Sequence, residues 1–189
     1  ITNDAPEVFP LGETIVTWTT TDTSGNIASD SQKVLIEDTI SPSLVISSDI
    51  QVETSNQVGM QIDLGIASSD DIVDSEPQIT NDAPEVFPLG ETIVTWTATD
   101  TSGNSASTTQ TISVIDTTAP VIEQPEDVIV DATSKSNNII ILDSIFVIEP
   151  ISDVKVTNNA PLHYEFGETI VTWTATDTSG NSASTTQTI

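Results

Sequence analysis

Residues 90–112 read GETIVTWTATDTSGNSASTTQTI, and residues 167–189 repeat that stretch without a change. A third copy begins at residue 12 and differs at a single position up to the end of its DTSGN motif. The tryptophans of the three copies lie 78 and then 77 residues apart, at Trp18, Trp96 and Trp173. Self-similarity at a period of this size predicts a tandem array in which each repeat is one structural unit.

Within the repeated stretch, apolar and polar residues alternate with the period of two that a β-strand requires. In the middle copy Val94, Trp96 and Ala98 share one face of the strand, and threonines occupy the other face. A tryptophan on the apolar face of a strand is typical of a core residue, and it offsets the small core of a domain without disulfides. An exposed platform on which a sugar ring stacks is the alternative.

Strand-like segments separated by turn residues recur along the chain roughly every 8–12 residues. In the complete copy they are Leu44–Ile46 and Ile50–Glu53, which form one broken strand, then Met60–Leu64, Pro77–Thr80, Thr92–Thr99 and Ala106–Ile115. No window of adequate length shows the 3.6-residue period of a helix. About seven short strands in each repeat predict an all-β fold, a small sandwich of two sheets.

A second marker, Asp-Thr-x-x-Pro, occurs at residues 38–42 and again at residues 116–120. A proline-ended pentapeptide between two strand-like segments is typical of a domain boundary. We therefore divide the chain into residues 1–42, the C-terminal half of one repeat; residues 43–120, a complete repeat; and residues 121–189, a repeat that lacks its last few residues. A piece of a longer polymer explains this phasing. The alternative is strand exchange, in which a neighbouring subunit donates the strand that completes an open sandwich.

The chain carries 29 acidic residues against three lysines and no arginine, which gives a formal charge of −26. Binding to nucleic acid or to an anionic membrane requires cationic side chains, so the composition excludes both partners. The same charge opposes compaction, and a cationic partner that neutralises it stabilises the fold. Cysteine is absent, so no disulfide framework staples the repeats. Divalent metal ions are the expected cationic partner.

The middle copy combines several motifs in a fixed order: PQIT at residues 77–80, FPLGETIVTWTATDTSGNSAS at residues 87–107 and DTTAP at residues 116–120. This combination closely resembles the hyalin repeat (HYR) module, in which a T-x-x-D-x-x-G-N turn precedes a D-T-x-x-P junction. The resemblance covers every repeat, and it implies tandem immunoglobulin-like two-sheet sandwiches, about seven strands in each, arranged as elongated beads on a string. It also implies an extracellular, cell-surface location and a role in adhesion. Many HYR modules carry a cysteine pair, which this chain lacks.

An immunoglobulin-like chain path brings the linker, the loop between the second and third strands and the last hairpin turn to the same pole of a sandwich. At the first junction these elements carry a set of acidic and amide side chains: Glu37, Asp38, Asp70, Asp71, Asp74, Asp100 and Asn104. The second junction repeats the pattern with Asp116, Glu149, Asp153, Asp177 and Asn181. Ile115 stands at the position of Glu37, so the second linker offers one carboxylate fewer. We expect Asn3–Asp4 and Asn81–Asp82 to approach the two junctions.

Carboxylates gathered at one place repel one another, by roughly 1–4 kcal/mol for a pair at about 4 Å. Calcium reverses the sign of that energy, because it accepts about six to eight oxygen ligands in the flexible geometry that loops supply. We therefore predict calcium at both junctions. Zinc is not expected, because cysteine is absent and His163 is the single histidine. The alternative interpretation is that Asp100 and Asn104 only build a turn, for which DTSGN suffices without a metal.

Catalysis finds no support in the sequence. His163 does not recur, since Val86 stands at its position in the preceding repeat, and neither a Ser–His nor a Cys–His pair is expected. We therefore predict that the chain is not an enzyme but a structural segment of a surface filament, stalk or adhesin, stiffened by calcium, whose partners are neighbouring repeats or identical subunits. The alternative is an adhesion module that binds a carbohydrate or a protein.

Overall fold

The computed structural model describes all 189 residues as strands joined by turns and loops, without a helix. The all-β prediction is therefore confirmed, and the chain offers no helix that could span a membrane. The residues form two compact units. The first unit contains Ile1–Ser47, Gly65–Asp82 and Thr95–Thr109, and the second contains Ser48–Leu64, Ala83–Val94 and Gln110–Ile189.

The first three strands form one antiparallel sheet in the first unit. They are β1 (Thr2–Asn3), β2 (Gly12–Thr21) and β3 (Ile27–Ile36), and their order in the sheet follows the chain. The long hairpin of β2 and β3 pairs along its whole length. Its turn is the first DTSGN motif, in which Gly25 adopts a φ of 87°, a conformation that an L side chain rarely accepts.

Residues 43–120, the predicted complete repeat, contain six strands: β4 (Ser43–Val45), β5 (Ile50–Glu53), β6 (Ser68–Asp70), β7 (Gln78–Asn81), β8 (Gly90–Thr99) and β9 (Ser105–Ile115). β4 pairs with β6, whereas a second sheet has the order β5-β9-β8-β7. The predicted broken strand is confirmed, because its two halves pair in different sheets. β4 runs antiparallel to β6, and β5 runs parallel to β9.

Residues 121–189, the predicted last repeat, lie in the second unit and contain β10 (Val121–Ile122), β11 (Val147–Ile148), β12 (Val154–Asn158), β13 (Ile170–Asp177) and β14 (Ser182–Thr188). β10 pairs with β11, and β12, β13 and β14 form a sheet in that order. An asparagine stands opposite the tryptophan in every copy: Asn3 with Trp18, Asn81 with Trp96, and Asn158 with Trp173. Repeated sequence therefore gives repeated strand register.

The apolar faces of β8 and β13 are core faces. Val94 and Ala98 are fully buried, Trp96 is 8% exposed and Trp173 is 5% exposed. The prediction that the tryptophan is a core residue is confirmed for these two copies. It is wrong for Trp18, which is 41% exposed, because no second sheet covers that face of β2 in this structure.

The predicted strand at Met60–Leu64 is wrong, and the strand β6 was not predicted. Met60 makes only an isolated bridge with Phe87. Glycines with positive φ precede and follow the segment, and a Cβ at Gly59 (φ 95°) would lie 2.2 Å from the carbonyl oxygen of Phe87. These glycines end the pairing on both sides, because a left-handed backbone cannot continue a strand.

Candidate metal site

The DTSGN turn of the complete repeat is held by its aspartate and its asparagine. The backbone N–H of Asn104 donates to Asp100 Oδ1 at 2.7 Å, and Asn104 Nδ2 donates to Asp100 Oδ2 at 2.8 Å. The other two turns form the same pair of bonds, between Asp22 and Asn26 and between Asp177 and Asn181. The same two hydrogen bonds therefore join the aspartate and the asparagine of the turn in all three copies.

The same asparagine also holds the linker. Asn104 Nδ2 donates to the backbone carbonyl of Asp38 at 3.1 Å, and Asn181 Nδ2 donates to that of Asp116 at 3.0 Å. We call this contact the linker clasp. It fixes the first Asp-Thr-x-x-Pro junction to the turn within the first unit, and the second junction to its turn within the second unit.

Three carboxylates come together beside the first clasp. Asp38, Asp71 and Asp100 each offer an oxygen, and these oxygens all lie within 4.8 Å of one another. We call them the first carboxylate group. Asp100 is buried and the other two are half-buried. One oxygen, Asp38 Oδ2, is shielded from solvent and has no hydrogen-bond partner.

Backbone N–H groups hold Asp71 in its charged form. Its Oδ1 accepts hydrogen bonds from Asp74 N at 3.0 Å and from Val73 N at 2.8 Å, and these bonds keep the pKa of Asp71 below its ordinary value. No cationic side chain compensates the group, because the only ion pair in the structure joins Lys33 to Glu13 on the hairpin of β2 and β3. The first carboxylate group therefore carries uncompensated negative charge.

A hard divalent cation fits this group. Calcium binds carboxylate oxygens and tolerates irregular geometry, so a bound ion would satisfy the unpartnered oxygen of Asp38 and would offset the repulsion among the three side chains. Asp100 would contribute an oxygen that already accepts a hydrogen bond from Asn104, which a carboxylate with several lone pairs can do.

Several predicted residues of the first junction lie outside the carboxylate group. Glu37 and Asp70 are exposed, and Asp70 belongs to β6. Asp74 ties the loop to the turn, because its Oδ2 accepts the N–H of Thr101 at 2.8 Å. The loop aspartates Asp4 and Asp82, which we expected near the junctions, accept backbone N–H groups of their neighbouring strands, Thr17 and Thr95, at 2.6 Å.

The second junction is built differently. Asp116 and Asp177 are buried, but Ser179 Oγ donates to Asp116 Oδ2 at 3.0 Å, so a hydroxyl takes the oxygen that is free on Asp38. Glu149 replaces the loop aspartate, and its Oε2 is shielded without a hydrogen-bond partner. Asp153 is exposed, and no second group of three carboxylates with the close spacing of the first is present.

Comparisons with known proteins agree with the fold and with the motifs. The HYR domain family matches residues 37–114. The chain is 32% identical to a hyalin of Lytechinus variegatus, aligned over all of this chain and 38% of that protein, and 34% identical to a hyalin of Strongylocentrotus purpuratus, over all of this chain and 17% of that protein. The chain thus spans well under half the length of either hyalin.

Two further matches cover less of this chain or are less identical to it. A rat protein named for its sushi, von Willebrand factor type A, EGF and pentraxin domains is 31% identical over 84% of this chain and 5% of its own length. Among solved structures, Drosophila N-cadherin EC1-4 gives a TM-score of 0.41 at 15% identity, with 95% of this chain and 58% of that chain covered. A score this low supports neither a shared function nor a shared ligand.

The family match and the hyalins confirm the resemblance read from the motifs and the predicted extracellular, cell-surface location. They identify an extracellular module of the adhesion type. The chain is thus similar to the HYR domain family over residues 37–114 and to the two hyalins over its whole length.

Proposed function

We propose that the chain is a structural segment of an extracellular surface filament, stalk or adhesin, and that calcium at the linkers between repeats stiffens it. The first carboxylate group carries this proposal, because three carboxylate oxygens converge within 4.8 Å and Asp38 Oδ2 is shielded without a partner. The repeats are residues 1–42, 43–120 and 121–189, and their linkers contain Asp38 and Asp116. Catalysis has no part in this role.

Stiffening follows from which chain segments the three carboxylates belong to. Asp38 lies in the linker, Asp71 begins the loop after β6, and Asp100 begins the turn after β8. An ion held by all three joins the linker to two loops of the complete repeat, all within the first unit. The linker clasp supplies one neutral contact to the same end. A bound ion adds a charged contact between the linker and the complete repeat. The linker therefore has less conformational freedom.

The two junctions are expected to differ in affinity. At the second, Asp116 Oδ2 accepts a hydrogen bond from Ser179, and Glu149 takes the place of a shorter aspartate. Calcium binding there costs the Ser179 bond, so it is the weaker site. We expect the first site to bind in the range of extracellular calcium modules, with a Kd of about 10⁻⁴–10⁻³ M.

A pair of neighbouring substitutions tests the metal site. Asp71→Asn removes one charge from the first carboxylate group but keeps an oxygen for the N–H groups of Val73 and Asp74. Asp70→Asn, the matched control, removes the same charge from an exposed strand position outside the group. Calorimetric titration with calcium should show an affinity loss of about tenfold or more for Asp71→Asn, and little change for Asp70→Asn.

Equal losses of calcium affinity in the two variants would mean that only the net charge of the chain matters, and not the carboxylate group. Absence of calcium-dependent heat at millimolar concentration in the unmodified chain would remove the site altogether. Stiffening is measured separately, by small-angle scattering in calcium and in chelator. The proposal expects a longer maximum dimension in calcium, and identical profiles would contradict it.

A second candidate function is an adhesion module that binds a ligand directly. The matches to the HYR domain family and to two hyalins favour it, because they identify a module of the adhesion type. Screening of immobilised glycans and extracellular proteins tests this function, and the absence of binding to any of them would argue against it.

A further inference from the structure

One sheet of the last repeat has an apolar outer face. β10 and β11 pair Val121 with Ile148, and Phe146 lies two residues before Ile148, on the same face of the strand. Phe146 is 62% exposed, and Ile141, which lines the same groove as Phe146, is 90% exposed. We call the four exposed side chains the apolar strip: Val121, Ile141, Phe146 and Ile148. Soluble proteins rarely leave such a run in solvent, and one that polar residues surround marks an interaction site.

The complete repeat is polar at the same four positions. The pairing register aligns the two repeats, because Ser43 stands opposite Asp70 in β4 and β6 as Val121 stands opposite Ile148. Along that alignment the strip positions hold exposed polar residues in the complete repeat: Ser43, Asp63, Ser68 and Asp70. The fold therefore does not require apolar residues at these positions.

A groove of about 360 Å³ opens beside the strip, between residues 123–128 and residues 141–146. In the complete repeat Ser47 joins the corresponding stretches, because its Oγ donates to the carbonyl of Ile66 at 3.2 Å and accepts the N–H of Ile66 at 2.9 Å. The two stretches approach so closely there that a Cβ at Gly65 would lie 2.3 Å from Ser47 Oγ.

Two residues keep the groove of the last repeat open. Pro125 and Asp143 stand at the positions of Ser47 and Gly65. Proline has no hydroxyl with which to make the two bonds, and aspartate has the Cβ that the close approach excludes. The two stretches are joined at one end of the groove, where the N–H of Glu123 donates to the carbonyl of Phe146 at 3.0 Å.

Four exposed carboxylates line this groove: Glu123, Glu126, Asp127 and Asp143. The complete repeat has a carboxylate at only one of the four corresponding positions, Asp49. No lysine compensates them, because the only ion pair in the structure joins Lys33 to Glu13. The last repeat therefore differs from the complete one in two ways at once: the strip is apolar, and the groove beside it is strongly acidic.

We propose that the strip and the groove together bind an extended segment of another protein, in which lysines or arginines flank apolar side chains. The strip covers the apolar side chains, and the groove carboxylates pair with the cations. The strip continues along β10 and β11 beyond the groove, so a chain segment fits this surface better than a compact small molecule. A second copy of the chain is a poor occupant, because it carries a formal charge of −26 and only three lysines.

This surface goes beyond the calcium-stiffened role and does not depend on it. It gives the adhesion module of the second candidate function a binding surface and a class of partner. Titrations in chelator therefore test it separately, and a failure of the calcium site would leave its outcome unchanged.

Three synthetic peptides are the probes. Lys-Lys-Ile-Phe-Val-Lys-Lys should bind and shift the amide resonances of residues 121–127 and 141–148. Lys-Lys-Ser-Ser-Ser-Lys-Lys lacks the apolar side chains and Glu-Glu-Ile-Phe-Val-Glu-Glu lacks the cations, so each should bind at least about tenfold more weakly. Added salt should weaken the binding of the first peptide, because exposed charges are screened.

Substitutions locate the binding surface. Phe146→Ser installs the residue of the complete repeat at an exposed position, and it should lower the affinity for the first peptide by about tenfold or more. Leu162→Ser, the matched control, removes an exposed apolar side chain of the same repeat outside the surface and should change little. Glu126→Ser should lower the affinity severalfold at low salt, and Glu168→Ser, its control, should not.

Four results would overturn the proposal. Equal binding of the three peptides, or equal losses in Phe146→Ser and Leu162→Ser, would mean that the surface does not select its occupant. No binding of the first peptide at about 1 mM would mean that the surface does not hold such a segment. A concentration-dependent dimer that Phe146→Ser abolishes would make a second copy of the chain the occupant.

Discussion

Replacing Asn104 by alanine tests whether the turn asparagine holds the linker. The substitution keeps the backbone N–H that donates to Asp100 Oδ1, and it removes the two bonds made by Nδ2, to Asp100 Oδ2 at 2.8 Å and to the carbonyl of Asp38 at 3.1 Å. A hydrogen bond to a charged group contributes about 1.5–3 kcal/mol, and one to a neutral carbonyl about 0.5–1.5 kcal/mol. The free energy of unfolding should therefore fall by about 2–4.5 kcal/mol.

The first copy supplies the matched control. Asn26 makes the same bonds to Asp22 in an exposed turn, and the structure records no bond from its side chain to a linker. Asn26→Ala should therefore cost clearly less than Asn104→Ala. Urea unfolding without calcium measures both free energies, and limited proteolysis within residues 38–42 reports release of the linker.

Two outcomes would refute the clasp. Equal losses of stability for the two variants would mean that the bond to Asp38 contributes nothing, and that the turn accounts for the whole effect. Unchanged cleavage within residues 38–42 in the Asn104→Ala variant would mean that the linker is held by other contacts. Either result would mean that the linker clasp does not hold the linker. The proposed stiffening would then depend on the bound ion alone.

Two further predictions concern the core and the carboxylate group. Trp173→Ala should lower the free energy of unfolding by about 3–5 kcal/mol, and Trp18→Ala by much less, because the first side chain is 5% exposed and the second 41%; similar urea midpoints would contradict the burial. Asp71 should titrate below its ordinary pKa of 3.8, because backbone N–H groups bind its charged form, so its contribution to stability is present above that pH and is lost as the pH falls through the lower folded-state pKa. NMR titration without calcium checks this value, and a pKa above 3.8 would show that repulsion within the group dominates.

Much of the fold could be predicted because the repeated stretch is locally consistent. The alternation around Trp96 specifies a strand and its buried face, and the Asp and Asn of DTSGN build their turn in every copy. β6 could not be predicted, because its residues are polar and its pairing relies on serine hydroxyls: Ser69 Oγ donates to the carbonyl of Ser43, and Ser43 Oγ to that of Asp70. Periodicity detects burial of apolar side chains and gives no signal for such a strand.

The sequence could predict which chain segments form the candidate site, but not which carboxylates belong to it. Chain path brings the linker, the loop and the turn to one place, but it does not decide which neighbouring carboxylate faces inward. Asp70 ends a strand and is exposed, whereas Asp71 begins the loop and joins the group. Ser179 also escaped prediction, because the corresponding serine is present in every turn and only the geometry at Asp116 gives it a partner.

One hydrogen bond, present in each copy of the repeated stretch, limits strand pairing between the copies. Asp4, Asp82 and Asn159 each place a side-chain oxygen on the N–H of a threonine, at Thr17, Thr95 and Thr172. Those amides would otherwise be available to a foreign strand, and nearly identical neighbours supply such strands at high local concentration. A side-chain oxygen thus occupies one strand amide in each copy of the repeated stretch, and that amide is not free to pair with a strand from another copy.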